Sequence, residues 1–206
     1  MARATKSHEK DVSKRFHQLL ARHRRKPTAA TWFSLGTQLA SVSPAVAQEL
    51  GAEVGDSVEC WRRCVRLDPK HDDAWLRLGE AYFERDDREN AVKAFTRATK
   101  LDPKNALAWY RLGILSFPAI AEENTARLNK AERFLSRAIE VDRRGKKLGW
   151  EPYAWLAEIA ERRRDDPGAL AWYAESTRRG DRYAAARKQV IEGHGARRRP
   201  KRRRRS

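Results

Sequence analysis

Leu67-Asp68-Pro69-Lys70 and Leu101-Asp102-Pro103-Lys104 are one tetrapeptide written twice, 34 residues apart, and that recurrence decides the fold. The same offset carries Trp75 onto Trp109, Leu78 onto Leu112, Gly79 onto Gly113, and Trp61 and Cys64 onto Phe95 and Ala98. Self-similarity at this period marks stacked helix pairs, because a single pair cannot bury its apolar face without a neighbour.

Between Asp72 and Asn105, the residues Trp75, Leu78, Gly79, Tyr82, Ala91, Phe95, Ala98 and Pro103 stand in the order and spacing of the tetratricopeptide pattern. The chain therefore resembles a tetratricopeptide-repeat (TPR) protein. Each position has a physical reason. Gly79 and Ala91 are small enough to let the two helices of a unit approach, and the large side chains fill the wedge between units. Pro103 cannot continue the second helix.

Three further repeats extend outward, all irregular. Trp32, Leu35 and Gly36 precede Trp75, Leu78 and Gly79 by 43, so the first repeat carries nine extra residues. Ala131, Leu135, Ala138 and Asp142 follow Ala91, Phe95, Ala98 and Asp102 by 40, which gives the third repeat six. In the fourth, Tyr153, Leu156 and Ala157 stand for Trp109, Leu112 and Gly113, followed by Ala169, Tyr173 and Ser176. The resemblance implies an all-α, short right-handed superhelix of about four TPR helix pairs with a C-terminal capping helix. It divides the chain into a basic N-terminal segment (1–26), a TPR domain (27–195) and an Arg-rich tail (196–206). Within the domain the repeats fall at about 29–70, 72–105, 106–144 and 150–183, with the capping helix at about 181–192.

Local signals refine the elements. Asp11 reads as the cap of an amphipathic helix with Val12, Phe16, Leu19 and Leu20 on one face, and Gly193 as the stop of the capping helix, whose apolar residues are Tyr183, Val190 and Ile191. Ser43-Pro44 starts, and Gly51 ends, a short extra helix in the first repeat. Asp56 with Glu59 caps the helix after it. Pro118 should end the first helix of repeat three. Asp86-Asp87 and Asp165-Asp166 read as turn residues.

Charge is the second informative feature. The chain is +17, with +7 in residues 1–26 and +8 in 196–206, which leaves +2 for the body. Pro27 to Trp61 holds no Lys or Arg but four acids, Glu49, Glu53, Asp56 and Glu59. Arg197, Arg198, Arg199, Lys201, Arg202, Arg203, Arg204 and Arg205 form a run with too little apolar content to fold alone, suited to an anionic partner such as RNA, DNA or an acidic protein. The same run fits a solvated end, or a nuclear import address if the source has a nucleus. No apolar stretch approaches the ~20 residues of a membrane span, and the N-terminus lacks a secretory signal. These features predict a soluble intracellular protein, cytoplasmic or nuclear, without membrane insertion. Glu9 and Asp11 argue against a mitochondrial transit peptide.

Nothing in the sequence supports catalysis or a cofactor. The five His residues pair with no spaced carboxylate and nucleophile, and neither a Gly-rich phosphate loop nor a metal-ligand cluster is present. Cys60 and Cys64 stand four apart on one helix, with Cys64 at the place of Ala98, so they read as small buried residues rather than zinc ligands.

The resemblance implies that the first helix of each repeat lines a concave face. Aligned on the Trp-Leu-Gly core, those helices place Phe33, Leu76, Arg77, Phe83, Tyr110, Arg111, Ile114, Phe117 and Trp155 there, together with Ser34, Thr37, Glu80, Ala154 and Glu158. An apolar floor with Arg77 and Arg111 suits a protein or peptide ligand with hydrophobic anchors and an acidic residue. The carboxylate clamp of chaperone-tail TPR domains is not matched, since its places hold Phe33, Thr37, Arg77, Leu107 and Arg111, of which only Arg111 agrees. The expected function is a non-catalytic interaction scaffold with basic ends. The alternative is a nucleic-acid-binding or ribonucleoprotein component that works through its Arg-rich ends.

Overall fold

The computed structural model describes residues 2–118, 124–143 and 147–198, with side chains between 9 and 193. The chain forms two compact units, residues 1–103 and 104–206. The first contains α1 (Ala2–Arg25), α2 (Ala29–Leu39), α3 (Pro44–Gly51), α4 (Ser57–Leu67), α5 (Asp72–Glu84) and α6 (Arg88–Leu101); the second contains α7 (Ala106–Ser116), α8 (Thr125–Val141), α9 (Glu151–Arg162), α10 (Asp166–Arg178) and α11 (Ala184–Arg198). Among the described residues all regular structure is helical. The principal pairings are α2 with α4, α5 with α6, α7 with α8, and α9 with α10; α1 lies on α2, and α11 on α10.

The helix boundaries are written in short polar side chains. Asp56 accepts the backbone N–H of Glu59 at 2.8 Å, Asn105 that of Ala108 at 3.1 Å, and Asn124 that of Arg127 at 3.0 Å. Asp87 and Asp165 cap α6 and α10 in the same way. Each such cap is worth about 1 kcal/mol. The residues before these last two, Asp86 and Arg164, both hold a positive φ, at 56° and 59°. The expected short helix is α3, with Pro44 in its first turn. At the end of α7, Phe117 takes an extended ψ of 129° ahead of Pro118, because the proline ring disfavours helical geometry in the residue before it.

Two boundaries differ from those expected. The first helix begins at Ala2 and carries Asp11 in its interior, since residues 2–10 include Ala, Arg, Lys and Glu, which favour a helix. The last begins at Ala184 and runs through Gly193 to Arg198. A single Gly costs only about 1 kcal/mol in a helix, too little to end one here. The apolar face of α11 also differs, because Ala184 and Ile191 are buried while Tyr183 and Val190 are 81% and 50% exposed.

Within each pair a small residue on the first helix receives a large one from the second. A Cβ on Gly36 would lie 2.7 Å from the Trp61 indole, one on Gly79 2.6 Å from the Phe95 ring, and one on Gly113 2.7 Å from Leu135. In the fourth pair Ala157 takes the glycine's place, in one core cluster with Tyr173. Trp75 is only half-buried; it packs with Tyr82 on a core that includes Leu35, Trp61 and Leu78, and its indole N–H donates to the Pro69 carbonyl at 3.0 Å. Phe16 and Leu20 bring α1 into the same core. The end of α1 is tied down by Arg24, whose Nε donates to Glu53 at 2.9 Å, and by His23, 3.0 Å from the Thr31 hydroxyl.

Candidate functional site

In the first unit the candidate residues lie on two helices, α2 and α5. Phe33 sits on α2 with its ring centroid 4.6 Å from that of His71, and it packs on the core beneath. Leu76 and Phe83 are half-buried on α5, and Arg77 is exposed there. Of these four, Arg77 alone lines a cleft of about 340 Å³, with Trp61, Glu80, Glu84 and Arg85 around it. Arg85 is held by Asp56 at 3.1 Å, and that contact helps the Glu59 N–H keep the Asp56 carboxyl below its ordinary range against the opposing effect of burial.

The second unit gathers a site. Tyr110, Phe117 and Trp155 pack against Leu128, Leu135, Leu156 and Ile159. The rings of Phe117 and Trp155 meet edge to face with centroids 4.9 Å apart, an arrangement that adds to simple burial. They open onto a cleft of about 650 Å³ walled by Trp150, Glu151, Ala154, Glu158 and Arg162, by Tyr173 of α10, and by Tyr183, Ala184 and Arg187 at the start of α11. Tyr110, Arg111 and Ile114 lie on α7 outside this lining. Burial pushes the Tyr110 phenol up from its ordinary pKa, and the Arg111 guanidinium carbon lies 5.9 Å from the Tyr110 ring centre.

Charge in the cleft is largely internal. The Arg162 guanidinium stacks over Phe117 at 4.4 Å and donates to the Pro118 carbonyl at 3.1 Å. Arg187 donates to Glu161 at 2.6 Å, and the same carboxylate accepts the Tyr173 hydroxyl at 2.6 Å. Burial, reinforced by Glu161, raises the Tyr173 phenol well above its usual value. Buried Asp181 accepts from the Ser176 hydroxyl at 2.7 Å and from the Tyr183 and Ala184 N–H groups, so it fixes the start of α11 and with it the cleft wall. The sequence did not single out Arg162, Tyr173, Tyr183 or Arg187 as site residues. Their legible signals were the four-residue spacing of Glu158 and Arg162, and the Tyr183, Arg187, Val190 stripe along one flank of α11.

Arg197 and Arg198 end α11, while Arg199, Lys201, Arg202, Arg203, Arg204 and Arg205 lie outside the described residues. Cys60 and Cys64 are fully buried, and burial pushes their thiols up to about 12 and about 11. Among the described residues no three His, Cys, Asp or Glu side chains cluster as metal ligands, and no helix is long and apolar enough to cross a membrane.

Stacked helix pairs of this kind are the architecture of repeat scaffolds for protein interaction. A family model described as "Tetratricopeptide repeat" matches residues 52–92, and one described as "TPR repeat" matches residues 79–117. Residues 52–117 of the chain therefore carry tetratricopeptide repeats. A crystal structure of MamA is similar at 20% identity and a TM-score of 0.64, with 87% of this chain and 95% of that one covered. A MamA fragment from Desulfovibrio magneticus RS-1 aligns at 17% identity and a TM-score of 0.60, over 84% of this chain and 94% of its own. YrrB, described as a TPR protein with an unusual peptide-binding site, aligns at 16% identity and 0.65, covering 87% and 84%. Likeness at these identities carries the fold, an all-α superhelix of helix pairs. No curated protein sequence matches the chain significantly.

Proposed function

We propose that this chain is a non-catalytic adaptor that holds a segment of a partner protein in the cleft of its second unit and contacts an anionic partner through its basic ends. The observation that carries the first half is the cleft itself. About 650 Å³ of open space lies against Phe117, Trp155 and Tyr183, with charged groups at its rim, which is the composition of a binding groove rather than of a reaction centre. The peptide-binding site named for YrrB, a protein of the same fold, supports the assignment. The second half rests on charge, since +15 of the net +17 sits in residues 1–26 and 196–206. On this proposal the protein works in the cytoplasm, or the nucleus of a cell that has one, and the Phe33, Arg77 and Phe83 surface of the first unit is an accessory contact.

The alternative, a ribonucleoprotein component that binds nucleic acid through its ends, is favoured by that same charge distribution. A pull-down from cell extract, with and without nuclease and with Trp155→Ala as comparison, separates the two. Partners that survive nuclease and disappear with Trp155→Ala support the adaptor. Partners that vanish with nuclease and ignore Trp155→Ala overturn it in favour of nucleic-acid binding.

A further inference from the structure

We infer that the cleft of the second unit selects segments in which a large apolar side chain stands beside a lysine or arginine, and that Glu158 is the residue that reads the cation. This inference rests on the proposed use of the cleft and adds the chemistry of the occupant, which differs from the acidic ligand suggested by Arg77 and Arg111.

Both arginines of the cleft already have partners within the protein, although the Arg187 side chain is 52% exposed. Arg162 is pinned to the Pro118 carbonyl and the Phe117 ring, with 19% of its side chain exposed, and Arg187 is engaged by Glu161. Each oxygen of Glu161 in turn already accepts a donor, one from Tyr173 and one from Arg187. Glu158 is different. It lines the cleft with 37% of its side chain exposed, and the nearest guanidinium nitrogens, from Arg162 and Arg187, stand at 3.6 and 3.9 Å. Both distances lie beyond hydrogen-bond reach, so among the described residues its carboxylate accepts no hydrogen bond and keeps its full capacity for a donor from outside.

The charge balance points the same way. Glu151, Glu158 and buried Asp181 line the cleft with two arginines, and Glu161 pairs with Arg187 beside it, which leaves the cleft negative inside a chain of +17. One incoming cation at Glu158 moves the cluster toward neutrality, whereas an incoming carboxylate would enter a net negative set of side chains in which both arginines already face a glutamate. The apolar half of the recognition comes from the edge-to-face Phe117 and Trp155 and from Tyr183, which is 81% exposed at the rim. Residues 196–206 of the chain itself carry the cations without any large apolar anchor, so they meet only half of the requirement.

The test is a selection from a displayed library of random dodecapeptides on the full-length protein, run in parallel on wild type, Glu158→Gln and Trp155→Ala, with helicity and melting checked for each. Sequences that also bind Trp155→Ala are subtracted, which removes acidic peptides captured by the basic ends. The expected result is enrichment of an apolar anchor within one or two residues of lysine or arginine, and at least tenfold weaker binding of those peptides to Glu158→Gln. Cleft binders that are acidic or charge-indifferent, or that bind Glu158→Gln equally well, overturn the cation inference and leave the groove standing. If no binders remain after subtraction, both the inference and the proposed use of the cleft fall.

Discussion

The contact between Gly79 and Phe95 sets the spacing of the second helix pair, and it can be tested through a reversal of sign. A methyl group on Gly79 would lie 2.6, 2.7 and 2.9 Å from three atoms of the fully buried Phe95 ring. The ring would have to retreat by roughly 1 Å to regain normal contact, and overpacking of this kind costs about 1–3 kcal/mol. Replacing glycine inside a helix returns about 1 kcal/mol. Gly79→Ala should therefore destabilise the chain by ~1 kcal/mol. Phe95→Ala alone should cost about 3–5 kcal/mol, as large-to-small changes in cores do. With the ring gone, the three closest contacts are removed and Gly79→Ala should stabilise by about 1 kcal/mol, a coupling near 2 kcal/mol in magnitude. Urea unfolding followed by far-UV circular dichroism, read as the midpoint at constant slope, gives all four corners of the cycle. Stabilisation by Gly79→Ala in both backgrounds would refute the claim that this contact fixes the pair.

Arg164→Gly should raise the melting temperature by roughly 1–4 °C, because Arg164 holds a φ of 59° that glycine adopts without strain; an unchanged or lower melt counts against stored strain there. The two thiols give a pH dependence of known sign. A thiol whose folded pKa is raised stabilises the fold while protonated, so their contribution is intact below the ordinary value of 9.0 and is lost as the pH rises toward about 12 for Cys60 and about 11 for Cys64. Stability measured from pH 8 to 11 should fall less steeply in a Cys60→Ala/Cys64→Ala variant than in wild type. Deleting 196–206 should flatten the salt dependence of any nucleic-acid affinity, with a loss of slope of about 0.7 per phosphate no longer neutralised on single strands; identical slopes in filter binding would free the tail of that role.

How much was legible depended on whether the controlling contact was local. Asp56 and Pro44 act within a turn of themselves, so that cap and α3 could be read from adjacent letters, whereas Asp165, read as a turn residue, also caps α10. The Trp-Leu-Gly core was legible because the repeat writes it several times over. Gly193 and Asp11 misled because each carries a boundary preference of only about 1 kcal/mol, which surrounding helix formers outweigh. The cleft was only half visible. Phe117 and Trp155 came from the repeat pattern, whereas Tyr183 and Arg187 enter through α11, whose placement depends on Asp181 gripping Ser176 from a neighbouring helix. No periodicity encodes that grip.

The first helix pair accommodates α3 between its members without losing the meeting of Gly36 and Trp61. Length between paired helices is thus decoupled from the join itself, much as cable slack is independent of the plugs at either end. Engineered binding loops or reporter peptides inserted at the exposed turn of Ser41 and Ser43, which leaves Leu50, Glu53 and Val54 in place, would be carried at a fixed address on the scaffold. The cap at Asp56 would still mark the start of α4 behind such an insertion.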